Sequence, residues 1–372
     1  MKPGLYLHIP FCEQRCYYCA FTVAVSPEDA FEPYIRRLVR EIELSGFQES
    51  AASIYFGGGT PSIVDAELIG RVLGSFRSLP AEVSIEVNPG TLSEKKVQRY
   101  RDLGITRISL GAQSLEDEDL ERAGRLHKAS AVFSDFEMLR RHGFTNVNMD
   151  LIAGLPGQQM QTWKRNLDHV LDLKPEHISI YMLEQEERSA WAKLPPGVPD
   201  DGDFADLYTL AESRLEACGY SHYEISNWAL PGRECRHNIG YWSGVSYRGF
   251  GVGAHSFDGV RRFWNTPSLL DYAESVDAGR LPIFGEEVLN SSHRLEEAFM
   301  LGLRQNGGVD AGQVAERIGI EYPPEWFVRV RELEEAGWIE CDGTILRLTG
   351  KGRLAANSVI EELLWPTPAS SI

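Results

Sequence analysis

The 372-residue chain contains no apolar run that approaches the ~20 residues needed to cross a bilayer. Its first residues, MKPGLYLHIPF, have no long apolar segment of the kind found in secretory signal peptides. Cysteine is scarce, with six residues, which excludes a disulfide-stabilised scaffold and is typical of a reducing compartment. We therefore expect a cytoplasmic globular protein, whose length predicts two or three domains.

Positive charge is also in short supply, because 37 Lys and Arg residues stand against 54 Asp and Glu residues, which gives a net charge of −17. Such an acidic surface opposes non-specific binding to nucleic acid and to anionic lipid. The sequence therefore predicts no nucleic-acid partner, and contact with a membrane only through another protein.

Six short segments have the composition of strands, and helical patterns lie between most of them. These segments are residues 5–9, 53–57, 83–87, 107–111, 146–152 and 177–183. A strand–helix alternation repeated this often predicts a parallel sheet with helical crossovers. We also expect a capping box from Ser26 to Asp29 at the start of the first helix, and Ser93 and Gly104 as the N-cap and C′ residues of another.

The predicted strands alternate between polar and apolar residues, unlike the continuous apolar runs of a parallel sheet that is packed on both faces. Tyr6, Glu86, Ser109 and Asp150 fall on the polar face. A two-layer sheet with its polar face in water would explain the pattern. We favour a partial, open (β/α)6 barrel of the TIM type, whose lumen would hold a polar ligand near the C-terminal ends of the strands. The predicted fold class is therefore α/β.

The character of the sequence changes twice along the chain. Residues 1–220 carry the predicted barrel, and residues 221–285 are rich in Gly and aromatic residues, which predicts irregular chain with short strands added to the sheet. Residues 286–372 predict three helices and a hairpin that turns at Asp342–Gly343, an α+β unit of the winged-helix type. Its third helix is rich in Glu, so we expect a structural or docking role for this unit and not DNA recognition.

Three of the six cysteines lie together in FCEQRCYYCAF, residues 11–21, at Cys-x₃-Cys-x₂-Cys spacing. Structural zinc usually needs four ligands in two pairs, and a redox pair needs only two thiols. Cys12, Cys16 and Cys19 can hold three irons of a [4Fe–4S] cluster and leave the fourth iron open for an external ligand. Phe21 stands where a further cysteine could follow.

The other three cysteines are scattered along the chain. We expect Cys218 and Cys341 to be small core residues. Cys235 is left undecided because of its neighbours.

The cysteine spacing after a first strand, together with FGGGTPS at residues 56–62, resembles the radical S-adenosylmethionine (SAM) superfamily. In that superfamily the open iron chelates the amino and carboxylate groups of SAM, and an electron from the cluster can cleave SAM to a 5′-deoxyadenosyl radical. The glycines let the backbone approach a ligand closely. The resemblance implies a [4Fe–4S] cluster and SAM as cofactors.

Longer stretches, among them YLHIPFCEQRCYYCAF, SIEVNPG, RISLGAQS, AGRLHK and DLIAGLPGQ, resemble the family of oxygen-independent coproporphyrinogen III dehydrogenases and their haem-chaperone relatives over nearly the whole chain. The match implies that cluster-bound SAM contacts Tyr6, Gly57, Gly58 and Glu86. It also implies that the SAM region and a neighbouring second-ligand pocket are lined by Gly59, Thr60, Gln113, Arg125 and Asp150. Carboxylates there can accept hydrogen bonds from ribose hydroxyls or an ammonium group, and an arginine supplies a fork for a carboxylate.

Three departures favour the haem-chaperone branch over the dehydrogenase. Phe21 replaces a further cysteine of the dehydrogenase, and the first strand begins by residue 5, which leaves no counterpart of the dehydrogenase's N-terminal segment. RHNIGYW also matches the His-Asn-x-x-Tyr-Trp element of the chaperones, which implies haem contacts by His237, Tyr241 and Trp242, with an axial imidazole. A histidine among aromatic residues can equally be a hydrogen-bonded structural residue, and Cys235 could alternatively supply a thiolate or a covalent attachment.

The resemblance therefore implies a cytoplasmic haem chaperone that carries a [4Fe–4S] cluster and SAM, binds haem b and hands it to respiratory haem proteins. A homodimer is compatible with this reading. The alternative is an enzyme that performs the oxygen-independent oxidation of coproporphyrinogen III or another SAM-radical reaction. The cysteine loop and the SAM pocket are compatible with both.

Overall fold

The computed structural model describes residues 2–47, 50–184, 186–192 and 197–364. At its centre, parallel strands pair in the order in which they occur along the chain. They are β1 (Gly4–Ile9), β2 (Ser53–Gly58), β3 (Val83–Val87), β4 (Arg107–Gln113), β5 (Val147–Ala153) and β6 (His177–Met182). Each of them coincides closely with a predicted segment, and the predicted α/β partial barrel is confirmed.

Helices follow these strands and cover one face of the sheet. They are α1 (Phe31–Ser45), α2 (Ala66–Leu73), α3 (Glu94–Asp102), α4 (Asp117–Arg122), α5 (Ala129–Arg141), α6 (Met160–Leu173) and α7 (Asp201–Ala217). The apolar strand positions, such as Leu7, Ile85 and Met149, are buried in one core with helix residues such as Ile35 and Leu38. The polar positions point the other way, into the lumen. Among the helices of the described residues, none is both long and apolar enough to span a membrane.

The sheet continues beyond both edges of the barrel, where residues 221–288 add further strands. β7 (Ser221–Glu224) and β8 (Asn227–Ala229) extend the sheet past β6 in the order β6-β8-β7. On the other side, β9 (Tyr247–Phe250), β10 (His255–Phe257), β11 (Arg261–Asn265) and β12 (Ile283–Val288) extend it past β1 in that order. β9 is parallel to β1, and the remaining additions are antiparallel. The short strands predicted for this region are confirmed.

The prediction of irregular chain was wrong at RHNIGYW, because Arg236–Trp242 form helix α8. A second helix of this region, α9, covers Leu269–Asp277. The amides at the start of α8 are satisfied by Glu82 from the start of β3, a partner that is distant in sequence. Local sequence therefore carried no cap signal for this helix.

The last part of the described chain folds around its own apolar core. Its helices are α10 (Ser291–Gly302), α11 (Ala311–Ile318), α12 (Pro324–Glu335), α13 (Gly350–Leu354) and α14 (Ala356–Leu364). Its strands, β13 (Val309–Asp310), β14 (Ile339–Asp342) and β15 (Ile345–Leu348), form a three-stranded antiparallel sheet in the order β13-β15-β14. The hairpin turns at Gly343, which has a φ of +63°, so the predicted helices and hairpin are confirmed.

The predicted boundaries of α3 are also confirmed. The hydroxyl of Ser93 accepts a hydrogen bond from the backbone N–H of Lys96, as an N-cap residue does. Gly104 follows the helix with a φ of +81° and takes the left-handed position that commonly ends a helix.

The capping box predicted from Ser26 to Asp29 is wrong. Residues Glu28–Ala30 form a 3₁₀ turn ahead of α1, and neither this turn nor α1 has a side-chain cap. Pro27 occupies the N-cap position of the turn, which moves Ser26 one residue too far from the amides that it would have to cap.

The scattered cysteines differ from one another in burial. Cys218 is exposed at the C-terminal end of α7, so its prediction as a core residue is wrong. Cys341 is half-buried and packs against the C-terminal core, and Cys235 is fully buried.

Candidate functional site

The three clustered cysteines lie on the loop that follows β1, at the C-terminal edge of the barrel strands. A short parallel ladder between Phe11–Cys12 and Ala24–Val25 holds the two ends of this loop together. Cys12 is buried, whereas Cys16 and Cys19 are half-buried, and all three are free thiols. The loop therefore presents three sulfur atoms at the mouth of the barrel.

The electrostatics of these thiols indicate that they lie near one another. The pKa of Cys12 is raised to about 11, chiefly by burial and to a smaller degree by the two neighbouring thiols, while the Thr60 hydroxyl and the Arg125 guanidinium oppose the increase. Burial likewise raises the pKa of Cys19. Among the described residues, no three His, Cys, Asp or Glu side chains are arranged to hold a single metal ion. Three soft sulfur donors beside a guanidinium, which balances negative charge, fit an iron–sulfur cluster.

A run of hydrogen bonds joins two of these thiols, and we name it the Asn88 network. The Thr60 hydroxyl donates to Sγ of Cys12 at 3.6 Å, and the side-chain amide of Asn88 donates to the Thr60 oxygen at 2.9 Å. On its other side the Asn88 carbonyl oxygen accepts from Nη2 of Arg125 at 3.0 Å, and Nη1 of Arg125 donates to Sγ of Cys16 at 3.4 Å. The network thus spans the cysteine loop and the loops that follow β2, β3 and α4.

The glycine-rich turn after β2 packs directly on the cysteine loop. The backbone N–H of Gly59 donates to the carbonyl of Ile9 at 2.8 Å, and that of Thr60 donates to the carbonyl of Phe11 at 2.7 Å. A Cβ added at Gly59 would lie 2.6 Å from the Phe11 oxygen, so a side chain there would push the two loops apart. Gly58 has a φ of +118°, a conformation that favours glycine, and its N–H faces the lumen residue Glu86.

The lumen below these loops is lined by carboxylates and phenols. Glu86 accepts from the Tyr55 hydroxyl at 3.0 Å and from the Gly58 N–H at 3.1 Å. A Cβ added at Gly57 would lie 3.0 Å from each of the side chains of Tyr6, Tyr55 and Glu86, so the absence of a side chain leaves room at this point. Burial, and then the charge of Asp150, raise the pKa of Glu86 to about 7.

Asp150 lies on β5, across the lumen from Glu86. It accepts from the Ser109 hydroxyl at 3.0 Å and from the Asn148 amide at 2.7 Å, and burial raises its pKa. Tyr181, on the lumen face of β6, is 43% exposed, which shows that the lumen is accessible. An accessible cavity with two carboxylates that resist ionisation suits a ligand that brings positive charge.

Gln113 ends β4 in an unusual conformation. Its φ is +65°, which is uncommon for a residue other than glycine, and the register between β4 and β5 shifts just before it. A strained conformation at the end of a barrel strand is typical of a ligand site.

Sequence reasoning missed several residues of this site. Tyr55 shares the inward face of β2 with Gly57, so strand alternation could have identified it. Nε2 of His8 donates to the Thr22 carbonyl at 2.8 Å, and Nδ1 of the neutral ring accepts from the Tyr6 hydroxyl at 3.1 Å, so His8 joins the lumen to the far end of the cysteine loop. No local pattern revealed that second contact.

Helix α8 lies at the opposite end of the barrel, beside the first residues of β1 and β2. Nδ1 of His237 lies 2.8 Å from the Ser53 hydroxyl, and Nε2 lies 3.0 Å from the Tyr241 hydroxyl. The imidazole also stacks on Tyr55, and its burial lowers its pKa to about 3, which keeps it neutral. Trp242 is half-buried, and its carbonyl accepts from the side chain of Gln305 at 3.0 Å.

The predicted residues therefore fall into two groups. The structure brings the cysteines together with the Gly-rich turn, Glu86, Arg125 and Asp150 around the C-terminal mouth and the lumen. It places His237, Tyr241 and Trp242 at the N-terminal edge, about one strand length, or roughly 20 Å, from the cysteine loop. Tyr55 lies between the two groups, because it stacks on His237 and donates to Glu86.

Comparison with known proteins agrees with this architecture. Residues 6–170 match the model of the Radical SAM superfamily, and residues 289–355 match the HemN C-terminal domain. The solved structure of coproporphyrinogen III oxidase (HemN) from Escherichia coli, described as a radical SAM enzyme, superposes with a TM-score of 0.85 at 22% identity, over 98% of this chain and 91% of that one. At that identity the likeness concerns the fold alone.

Two relatives are closer in sequence, and both are named heme chaperone HemW. The protein from Bacillus subtilis (strain 168) is 34% identical over 96% of this chain and 98% of its own length. The protein from Mycobacterium tuberculosis (strain ATCC 25618 / H37Rv) is 35% identical over 97% of this chain and 94% of its own length. The chain therefore belongs to the HemW family of the radical SAM superfamily.

Proposed function

We propose that this protein is a haem chaperone, which binds haem and transfers it to acceptor haem proteins, on a scaffold that carries a [4Fe–4S] cluster and SAM. The observation that carries the proposal is that one barrel holds two separate sites, three thiols at one end and a neutral, oriented imidazole at the other. The names of the HemW relatives support the same function.

The cluster would be held by Cys12, Cys16 and Cys19, with SAM on the remaining iron. When bound, the cluster and SAM supply the chemistry of reductive SAM cleavage. Tyr6, Gly57, Gly58 and Glu86 surround the opening where SAM would lie, and Glu86 offers a carboxylate to an ammonium group or to ribose hydroxyls. The SAM region and its neighbouring pocket would further be lined by Gly59, Thr60, Gln113, Arg125 and Asp150.

Arg125 has both terminal nitrogens bonded to acceptors of the protein. A role as the fork for a ligand carboxylate would therefore require it to give up one of these bonds. Its present contacts support a role beside the cluster.

Haem would be bound through Nε2 of His237. A histidine that ligates a metal usually has its other nitrogen held by a hydrogen bond, and Ser53 already holds Nδ1 in this way. Tyr241 covers Nε2, so haem binding requires this tyrosine to turn aside. Tyr241 and Trp242 would then pack against the porphyrin or reach its propionates.

The bound haem would be haem b, held without a covalent link. The sequence contains no Cys-x-x-Cys-His motif of the kind that attaches c-type haem. Cys235 is buried, and its thiol donates to the Glu82 carboxylate at 3.6 Å, so the thiol already has a partner within the protein.

The acceptors would be haem proteins of respiration, reached from the cytoplasm, with membrane contact only through the acceptor. A net charge of −17 supports protein partners and disfavours direct binding to anionic lipid or nucleic acid. A homodimer is part of the same proposal.

The test is a haem titration of the anaerobically reconstituted protein, followed by transfer to the apo form of a respiratory b-type cytochrome. The wild type should bind haem and load the acceptor, and it should leave coproporphyrinogen III unconverted in the presence of SAM and a reductant. Turnover of that porphyrinogen, or failure to load the acceptor, would refute the chaperone proposal.

His237→Ala should weaken haem binding by at least tenfold and leave the visible absorption of the cluster intact, because the two sites lie at opposite ends of the barrel. Tyr241→Phe should bind haem faster than the wild type, because Nε2 loses its internal partner. His293→Ala is the matched control, since this histidine is 44% exposed on the C-terminal part. Unchanged haem affinity in His237→Ala would remove this residue as the ligand.

A further inference from the structure

The Asn88 network has a direction that follows from the chemistry of its members. An arginine side chain can only donate hydrogen bonds, so the oxygen of the Asn88 amide must face Arg125. The nitrogen of that amide then faces Thr60 and donates to its oxygen. Because the Thr60 oxygen already accepts this bond, its own proton is free to point at Sγ of Cys12.

Both ends of the network therefore aim a donor at a cysteine sulfur. The Thr60 hydroxyl donates to Cys12, and the Arg125 guanidinium, which also carries a full positive charge, donates to Cys16. Asn88 is the residue that fixes both donors at once.

The network is held in place by the rest of the protein. The backbone N–H of Asn88 donates to the Ser62 hydroxyl at 3.1 Å, and the Thr91 hydroxyl bonds to the same oxygen at 2.7 Å. Nη2 of Arg125 also donates to the carbonyl of Gly111 at 2.9 Å. Asn88 and Arg125 are therefore anchored by contacts that do not involve the cysteine loop, whereas the backbone of Thr60 is bonded to Phe11 of that loop.

We propose that Asn88 is a positioning residue that sets the reduction potential of the cluster, by directing Thr60 at Cys12 and Arg125 at Cys16. This inference rests on the proposed function, which places the cluster on these cysteines. A reduced cluster carries one more negative charge than the oxidised one, so donors and a cation beside its thiolates stabilise the reduced state. The network raises the potential and makes the cluster easier to reduce.

Asn88→Asp is the sharpest test, because it keeps the shape of the side chain while it changes both the hydrogen bonding and the charge at this position. A carboxylate cannot donate to Thr60, so the Thr60 proton turns from Cys12 towards the new acceptor. The same carboxylate pairs with Arg125 and offsets its charge. Thr60→Val removes only the donor to Cys12, whereas Thr60→Ser keeps it.

The experiment is a spectroelectrochemical titration of the reconstituted full-length protein, with cluster content measured in parallel. We expect Asn88→Asp to shift the one-electron reduction equilibrium at least tenfold towards the oxidised cluster, which is 59 mV for one electron. Thr60→Val should shift it in the same direction by less. Thr60→Ser and Lys128→Gln should match the wild type, since Lys128 is a nearby cation whose side chain is 77% exposed.

A wild-type potential in both Asn88→Asp and Thr60→Val overturns the inference. Folded variants that hold no cluster at all also overturn it, because the network would then serve assembly and not potential. A wild-type protein that assembles no [4Fe–4S] cluster would overturn the proposed function together with this inference, and the two failures are thus distinguished.

Discussion

The substitution Glu86→Gln tests whether the buried carboxylate of Glu86 lowers the stability of the folded protein while it contributes to SAM binding. Burial and the nearby Asp150 raise the pKa of Glu86 from 4.5 to about 7, so the folded protein keeps a proton that the unfolded chain releases between these values. The free energy of unfolding must therefore fall as the pH rises through this window. A difference of about 2.5 pH units, at about 1.4 kcal/mol each, corresponds to roughly 3.5 kcal/mol.

Glutamine imitates the protonated acid, because its oxygen can accept from the Gly58 N–H and its nitrogen can donate to the Tyr55 hydroxyl. We expect Glu86→Gln to be more stable than the wild type by up to about 3 kcal/mol at pH 8, and by less than about 1 kcal/mol at pH 5. The same variant should bind SAM more weakly at pH 8, since it lacks the carboxylate.

The assay is urea unfolding of both proteins without cofactors at pH 5, 6, 7 and 8, with tryptophan fluorescence as the readout. Glu118→Gln is the control, because that carboxylate is 84% exposed and its removal should alter stability by less than about 1 kcal/mol at any pH. A stability difference between Glu86→Gln and wild type that is the same at pH 5 and pH 8 would refute the reasoning.

Two further substitutions test the loops at the barrel mouth. Cys16→Ala should abolish the cluster, because only two thiolates remain, and iron content and visible absorption measure this loss. Cys218→Ala is the control and should retain the cluster. A fully assembled cluster in Cys16→Ala would contradict the assignment. Gly58→Ala should destabilise the protein by about 1–3 kcal/mol in urea unfolding and weaken SAM binding. The backbone at Gly58 has a φ of +118°, which strains any other residue, and an added Cβ would lie 2.6 Å from the His8 ring. Gly90→Ala has a similar φ of +89° with open space around it, so an equal loss in both variants would show that the His8 contact is irrelevant.

The strands and the cysteine loop were predictable because their signals are local. Polar and apolar residues alternate within each strand, so the sequence already separates the lumen residue Glu86 from its buried neighbours Ile85 and Val87. The spacing of the three cysteines is likewise a property of one short segment.

Contacts between distant segments could not be predicted in the same way. The first backbone N–H groups of α8 donate to the side chain of Glu82, so the residues ahead of that helix carry no cap signal. The role of Asn88 could not be read from the sequence, because its partners Thr60 and Arg125 come from other loops. Cys218 shows the converse, since an apolar residue type was taken as buried although the end of α7 faces solvent.

Helix α8 has seven residues, fewer than the ~12–15 that an isolated helix needs to persist in water. Glu82 of the barrel holds its first turn, and Gln305 of the C-terminal part holds its last. A polypeptide still on the ribosome and ending before Gln305 lacks one of these two anchors. The helix that carries His237 thus gains its second anchor only after the chain has been made beyond Gln305, so the proposed haem ligand reaches its final setting late in synthesis.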